Sequence, residues 1–448
     1  MLFWAKKFPR PQFYSDGQSV TMNQSDIITN IEIYGADSYG RGVGRYAGKV
    51  VFVPFAAKGD IVDCRIVSRY EKYDIAAIEN IVEPSPYREA PPCPYFTICP
   101  GCAFQHISYD LELKLKGERI ASCLSKFAGA KSDSVPVAPS KEIYGYRNHV
   151  TLHLWYNGAE PQCGLISPEE RRVIPIDACL LLPEFAVDLP KRISDICRDL
   201  VGAYRGRFAL RLPFVFDHEM KQVMLVPGRS PMRKVRRMMR LVLETLQDTY
   251  PAKSSLVRNV AGRRFRFSPL SFTQANESLM PILYEKVRQA VHRMPVGKIL
   301  DLFSGVGVLG TICSGDDGVT FIERSPTAVE DLKHNAIANK LANATILEGD
   351  VETLLQEVIS GEAFAWVIMN PPRKGLPPNV AGTVADSAVK NLVYVSCDPA
   401  TLSRDINRLM QGGFKADTPQ GAFKVETVEG VDMFPRTPHV ETIAILLR

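Results

Sequence analysis

The chain has 448 residues, 46% hydrophobic and 23% charged, with 54 Lys and Arg against 49 Asp and Glu. That length exceeds one ordinary core and implies two or three domains, and no apolar run approaches the ~18 residues needed to span a bilayer. The charge of +5 is mild, and ten cysteines without a secretory leader argue against a disulfide framework and for metal-ligating or catalytic thiols in the cytoplasm.

Residues 1–22 carry basic and aromatic side chains but no apolar core and no cleavage signal. A disordered extension is expected there, and Met22, just before the first patterned segment, is a candidate start. Residues 23–85 alternate as short strands with turns between them, the pattern of a small OB-like β-barrel. GRGVGRYAG imitates a nucleotide loop, but no helix follows it. Arg41, Arg45, Lys49 and Lys72 suit an RNA-binding barrel; the plainer reading is a structural barrel.

Residues 86–255 read as an α+β middle domain. Cys93, Cys99 and Cys102 form C-x5-C-x2-C among proline and glycine turns. Three soft thiolates at this spacing suit zinc or an iron–sulfur cluster, and spacing alone does not separate the two. The fourth ligand would come from Cys123, Cys163, Cys179 or Cys197. Leu111, Leu115, Ile120 and Leu124 place a helix within 105–128, expected to pack on the C-terminal domain. Two basic clusters, Arg233, Lys234, Arg236, Arg237 and Arg240, then Arg258, Arg263, Arg264 and Arg266, fit a polyanionic partner or simply solvated faces.

From 256 to 448 strand and helix alternate, which predicts a doubly wound, Rossmann-like parallel sheet with its function at the strand carboxyl ends. KILDLFSGVGVLG runs an apolar strand into a glycine turn at Gly305 and Gly307. Glu323 ends the next strand, where a carboxylate can accept from ribose hydroxyls, and Asp350 ends the third, where it can meet an adenine amine. These features fit a dinucleotide or S-adenosylmethionine. The rigid polar turn NPPR at 370–373 tips the choice to a methyltransferase acting on a planar nitrogenous ring. In YVSCDPATLSRD a strand, a sharp turn and a helix present Cys397, either a small buried hydrophobe or a thiol offered to a ligand.

Together these motifs resemble the RNA uracil-5-methyltransferase family, in its branch with an amino-terminal TRAM barrel and a four-iron, four-sulfur cluster. The resemblance runs from 25 to 448 through C-x5-C-x2-C followed by QH, YGYRNHVTLHL, SFTQAN, DLFSGVGVLG, NPPRKG, YVSCDPATLSRD and DMFPRTPHVE. It implies a cluster held by Cys93, Cys99, Cys102 and Cys179, with Cys397 as nucleophile and Glu441 as base. Family positions that touch S-adenosylmethionine fall on Gln274, Phe303, Glu323, Asp350 and Asn370, and Phe272 lies where an aromatic stacks the target. Arg404 and the start of the following helix are candidates for lowering the thiol pKa and meeting substrate. The implied product is 5-methyluridine in RNA, 23S ribosomal RNA rather than tRNA, made by a cytoplasmic monomer.

The chemistry requires these residue types. A thiolate adding to carbon 6 turns uracil into an enolate whose carbon 5 attacks the methyl sulfonium. The adduct keeps a proton on carbon 5, which a carboxylate must remove before the thiolate leaves. One departure stands out: the family usually has aspartate where this chain has Asn370. An amide can donate as well as accept, which weakens discrimination against cytosine. Two other readings compete, a nucleic-acid amino-methyltransferase using NPPR and a non-catalytic RNA-binding protein.

Overall fold

The computed structural model describes residues 26–127, 133–167, 171–201, 208–225, 244, 255–269, 271–294, 297–411 and 422–448. The extension before Met22 and the basic cluster from Arg233 to Arg240 lie outside them. Among the described residues no helix is long and apolar enough to cross a membrane.

Six short strands, β1 (Ile27–Glu32), β2 (Gly35–Ala36), β3 (Gly42–Tyr46), β4 (Lys49–Val53), β5 (Ile61–Arg69) and β6 (Tyr73–Glu83), form one sheet in the order β1-β5-β6-β4-β3-β2. β1 and β2 are consecutive yet lie at opposite ends of that order. The sheet therefore closes into a barrel, with Tyr34 N donating to Val43 O at 3.0 Å. Closure explains the glycines. A Cβ on Gly44 would stand 2.5 Å from Ile31 Cγ2, and one on Gly42 2.8 Å from Ala56 Cβ. The stretch that imitates a nucleotide loop is where two barrel walls touch.

The span 86–255 contributes to two bodies. Helix α1 (Tyr109–Phe127) buries Leu111, Leu115, Ile120 and Leu124, and Ser403 Oγ donates to Cys123 O at its last turns (2.7 Å). β7 (Val137–Ala138) joins the C-terminal sheet through Gly430 and Val431. The strands β8 (His149–Tyr156), β9 (Pro161–Ile166), β10 (Val173–Pro175), β11 (Phe208–Asp217) and β12 (Gln222–Leu225) form a separate antiparallel sheet, β10-β9-β8-β11-β12. α2 (Leu189–Val201) buries Ile193 and Cys197 against Leu152, Leu154 and Leu212 of that sheet.

A hairpin of β13 (Leu256–Val260) and β14 (Arg263–Phe267) turns on Ala261 and Gly262, both left-handed. It carries the second basic cluster, and two of those arginines have internal partners. Arg258 meets Glu277 (2.5 Å) and Asp217 (3.3 Å), and Arg266 meets Asp331 (3.1 Å).

After α3 (Met280–His292) the C-terminal sheet assembles from β15 (Ile299–Leu302), β16 (Val319–Glu323), β17 (Ala344–Glu348), β18 (Trp366–Met369), β19 (Asn391–Ser396), β20 (Lys424–Val431) and β21 (Glu441–Leu447). The intervening helices are α4 (Val308–Cys313), α5 (Pro326–Ala338), α6 (Val351–Gly361), α7 (Pro378–Asp386) and α8 (Pro399–Gln411). Sheet order is β17-β16-β15-β18-β19-β21-β20-β7. Strand side chains alternate between two cores: Ile299, Ile368 and Val393 feed one, Leu300, Val367 and Leu392 the other. That double burial is why these strands read as continuous apolar runs.

The sheet is not parallel throughout, as the alternation predicts. β15 to β19 are parallel, but β21 enters antiparallel between β19 and β20. The order reverses between β15 and β18, which opens the crevice at their carboxyl ends.

Candidate active site

The antiparallel β21 creates the central feature. Ser396, the last residue of β19, pairs with Thr442. One step further, Cys397 comes opposite Glu441, the first residue of β21. A parallel last strand would have put its first residue at the other end of the sheet. Glu441 is 2% exposed. Burial pushes its carboxyl up to about 8, with the Arg373 cation opposing. Cys397 is half-buried. Burial, then the charge of Glu441, pushes its thiol up to about 11, while Arg373 lowers it by charge and by a hydrogen bond.

The cation at the thiol is thus Arg373, not Arg404. Arg404 Nε donates to buried Asp405 (2.9 Å), and its Nη2 donates to Lys374 O (2.8 Å). At the helix start a carboxylate opposes the thiolate. Asp398 Oδ1 caps α8 by accepting from Ala400 N (2.8 Å) and Thr401 N (3.1 Å), and its charge raises the thiol further. The turn that offers the cysteine also places a carboxylate at the helix end.

Phe303, Glu323, Asp350 and Asn370 follow or end β15, β16, β17 and β18, so they share one edge of the sheet. The two turn glycines divide the work there. Gly305 is left-handed, and no atom lies within 4 Å of where its Cβ would be. Gly307 is also left-handed, but a Cβ there would stand 2.1 Å from Leu332 Cδ1. Gly305 thus borders open space and Gly307 lets α4 and α5 pack. Glu323 accepts from Gly305 N (2.9 Å), Arg324 N (2.9 Å) and Ser325 N (2.8 Å). A carboxylate has about four acceptor positions, which leaves room for one more donor. Asp350 projects into solvent beside Arg324 (3.4 Å).

Gln274 is buried and its carbonyl accepts from Asn148 Nδ2 at 2.5 Å. Phe272, two residues earlier, is 66% exposed, an apolar ring without cover. Three residues escape the sequence reading. Arg373 is one. Asp301, at the heart of β15, accepts from Gly310 N (2.8 Å), and burial pushes its carboxyl up to about 7. Tyr284 of α3 feels both centres: burial, then the charges of Glu441 and Asp301, raise its hydroxyl. Only the strand ending of Asp301 could have been read in advance; the other two depend on tertiary placement.

Cys93, Cys99, Cys102 and Cys179 line one cavity together with Arg147. Burial pushes Cys99 and Cys102 up to about 12 and raises Cys179. Among the described residues, no three His, Cys, Asp or Glu side chains gather closely enough to hold a metal ion. Four thiols around one cavity, with Arg147 Nε buried there and lacking a hydrogen-bond partner, would fit an anionic thiolate-bound metal group, zinc or iron–sulfur.

Comparison with known proteins agrees with the two ends of the fold. Residues 28–76 match the TRAM domain family and residues 272–393 the methyltransferase small domain family. An uncharacterized RNA methyltransferase of Protochlamydia amoebophila is 30% identical over 427 residues, 91% of this chain and 94% of that one. Another, from Halalkalibacterium halodurans, is 26% identical over 470 residues, 96% and 98% of the two chains. Among solved structures, the tRNA (uracil-54, C5)-methyltransferase of Pyrococcus abyssi in complex with S-adenosyl-L-homocysteine superposes with a TM-score of 0.69 at 22% identity, over 94% of this chain and 100% of that one.

Proposed function

The chain belongs to the RNA methyltransferase family of these bacterial relatives, and on that premise we propose that it transfers a methyl group from S-adenosylmethionine to carbon 5 of a uridine in RNA. The observation that carries this reading is Cys397 opposite a buried Glu441. A methyltransferase acting on an exocyclic amine needs neither a nucleophile nor a trailing base.

In this reading Phe272 stacks the flipped-out base. Asn370 meets the ring, and Gln274, Phe303, Gly305, Glu323 and Asp350 seat the methyl donor, with Gly307 packing the helices behind them. Cys397 adds to carbon 6 and the negative charge moves to the ring oxygen. Carbon 5 then takes the methyl group, releasing S-adenosylhomocysteine. Glu441 removes the carbon 5 proton, the double bond reforms and the carbon 6–sulfur bond breaks. Arg373 is the cation available to stabilise the thiolate before attack. Cys93, Cys99, Cys102 and Cys179 would hold a four-iron, four-sulfur cluster in a structural role. The substrate we favour is 23S ribosomal RNA, with tRNA second.

Two substitutions test the mechanism. Cys397→Ala abolishes both turnover and the covalent RNA–protein adduct. Glu441→Gln slows turnover by ~10²–10⁴-fold while the methylated adduct accumulates. Turnover retained in Cys397→Ala would replace this reading with amine methylation.

A further inference from the structure

The loop at 432–440, which delivers Glu441, is held from outside its own sheet. Phe434 O accepts from Lys116 Nζ (3.2 Å), Pro435 O from Tyr146 OH (2.9 Å), and Pro438 O from Arg119 Nη1 (2.7 Å). Arg436 O accepts from Ala103 N (2.9 Å) and Phe104 N (3.1 Å), the residues that follow Cys102. All of these donors come from α1 or from the segments on either side of it.

Two cations centre this contact. Lys116 is 1% exposed and bridges Glu112 Oε1 (2.6 Å) and Asp432 Oδ1 (2.5 Å). Arg436 is 4% exposed, its N donates to Glu112 Oε1 (2.7 Å) and its Nη1 donates to Ile107 O (3.0 Å). Arg436 is also left-handed, at φ 65°. A turn alone would favour glycine or asparagine there. The arginine there is buried instead, and its guanidinium faces Ile107 O and the Glu112 carboxylate (3.8 Å). Burying paired charges is a weak way to gain stability but can fix one arrangement among several.

Resting on the assignment of Glu441 as the base, we propose that Arg436 and Lys116 are positioning residues for proton removal: they lock the loop so that the Glu441 carboxylate meets the carbon 5 proton of the adduct. The attack by Cys397 is less dependent on this lock, because Cys397 sits on the β19 turn and α8, outside the loop. Displacing a reacting group by ~1 Å costs on the order of 10²-fold, and here that loss falls on elimination.

The test compares Arg436→Met, Arg436→Lys and Lys116→Met with wild type and Glu441→Gln on two RNAs. RNA carrying 5-fluorouridine has no carbon 5 proton, so it reports attack and methyl transfer without the base. We expect adduct formation on that RNA at the wild-type rate and unchanged affinity for S-adenosylhomocysteine. On ordinary RNA, turnover falls about 10²-fold and the methylated adduct accumulates on denaturing gels, with Arg436→Lys intermediate. Unchanged turnover in both Met variants overturns the proposal. So does a parallel loss of fluorouridine adduct and turnover, which reduces the network to general support. If Arg436→Met does not fold, Lys116→Met and Arg436→Lys decide by the same readouts. If Glu441→Gln itself gathers no adduct, the base assignment fails, and the proposal with it.

Discussion

A thiol raised by burial and a carboxyl raised by burial face each other across β19 and β21, and both must ionise for the proposed reaction. Glu441 moves from an ordinary 4.5 to about 8. Between those values the folded chain holds a proton that the unfolded chain has lost, so this group's contribution to stability is complete below 4.5 and is lost as pH rises through 8. Glu441→Gln lacks that loss. Its Tm should therefore exceed the wild-type value at pH 8 and converge with it near pH 4, which thermal unfolding at the two pH values checks. Elimination should accelerate up to about pH 8 and then level off. For Cys397, alkylation of the free enzyme by iodoacetamide should climb steeply above neutrality, and Arg373→Met should slow it at pH 8 by removing the cation that lowers the thiol. Asn370 sets a further comparison: methylation of matched uridine and cytidine RNAs by Asn370→Asp should discriminate more sharply than wild type. Cys397 and Glu441 were legible in the motifs. Arg373 stood in plain view within NPPR, but its service to Cys397 arises from neighbouring strands and no spacing records it.

Strand direction is invisible in an apolar run. ETIAILL buries both faces of β21, and such a stretch fits parallel or antiparallel pairing equally well. The parallel expectation failed there, at the element that brings the base to the nucleophile. The barrel, by contrast, was legible because turns and alternation at short spacing permit few other folds. The hairpin of β13 and β14 shows the limit of charge counting: its basic residues were plain, but Glu277, Asp217 and Asp331 come from distant elements. The glycine turn before α4 was legible as a turn but not in its division of labour. Gly305→Ala should cost only about 1–2 kcal/mol for the left-handed backbone while weakening S-adenosylhomocysteine binding, since the new methyl enters open space. Gly307→Ala should be the more destabilising, because its Cβ would overlap Leu332. Thermal unfolding and a ligand titration on each variant separate the two effects, and equal losses in both would refute this division.

The whole molecule is tied together around its thiol cavity and α1. Cys93, Cys99 and Cys102 stand out together in the sequence, but the cavity they share with Cys179 exists only because the middle sheet folds back on the loop after the barrel. That loop continues through Ala103 and Phe104 to Arg436, and Cys179 is followed by Leu181, whose carbonyl accepts from Arg147 N. Two atoms of the next residue, Asn148 N and Nδ2, reach Ala275 O and Gln274 O. Barrel, middle sheet and methyltransferase sheet therefore meet at one place, where a metal group bonded to all four thiols would close the chain between 93 and 179. A covalent link of that span stabilises by roughly 4–5 kcal/mol in chain-entropy terms, and metal affinity of this kind is folding free energy. Protein purified without oxygen should carry iron and acid-labile sulfide, and Cys179→Ala should lose both. Its Tm should fall by roughly 5–10 °C, and protease should cut first between 93 and 102. Full stability in an iron-free Cys179→Ala chain would show that the three bodies hold together without a metal group, through α1, the buried Lys116–Asp432 pair and the Asn148 hydrogen bonds.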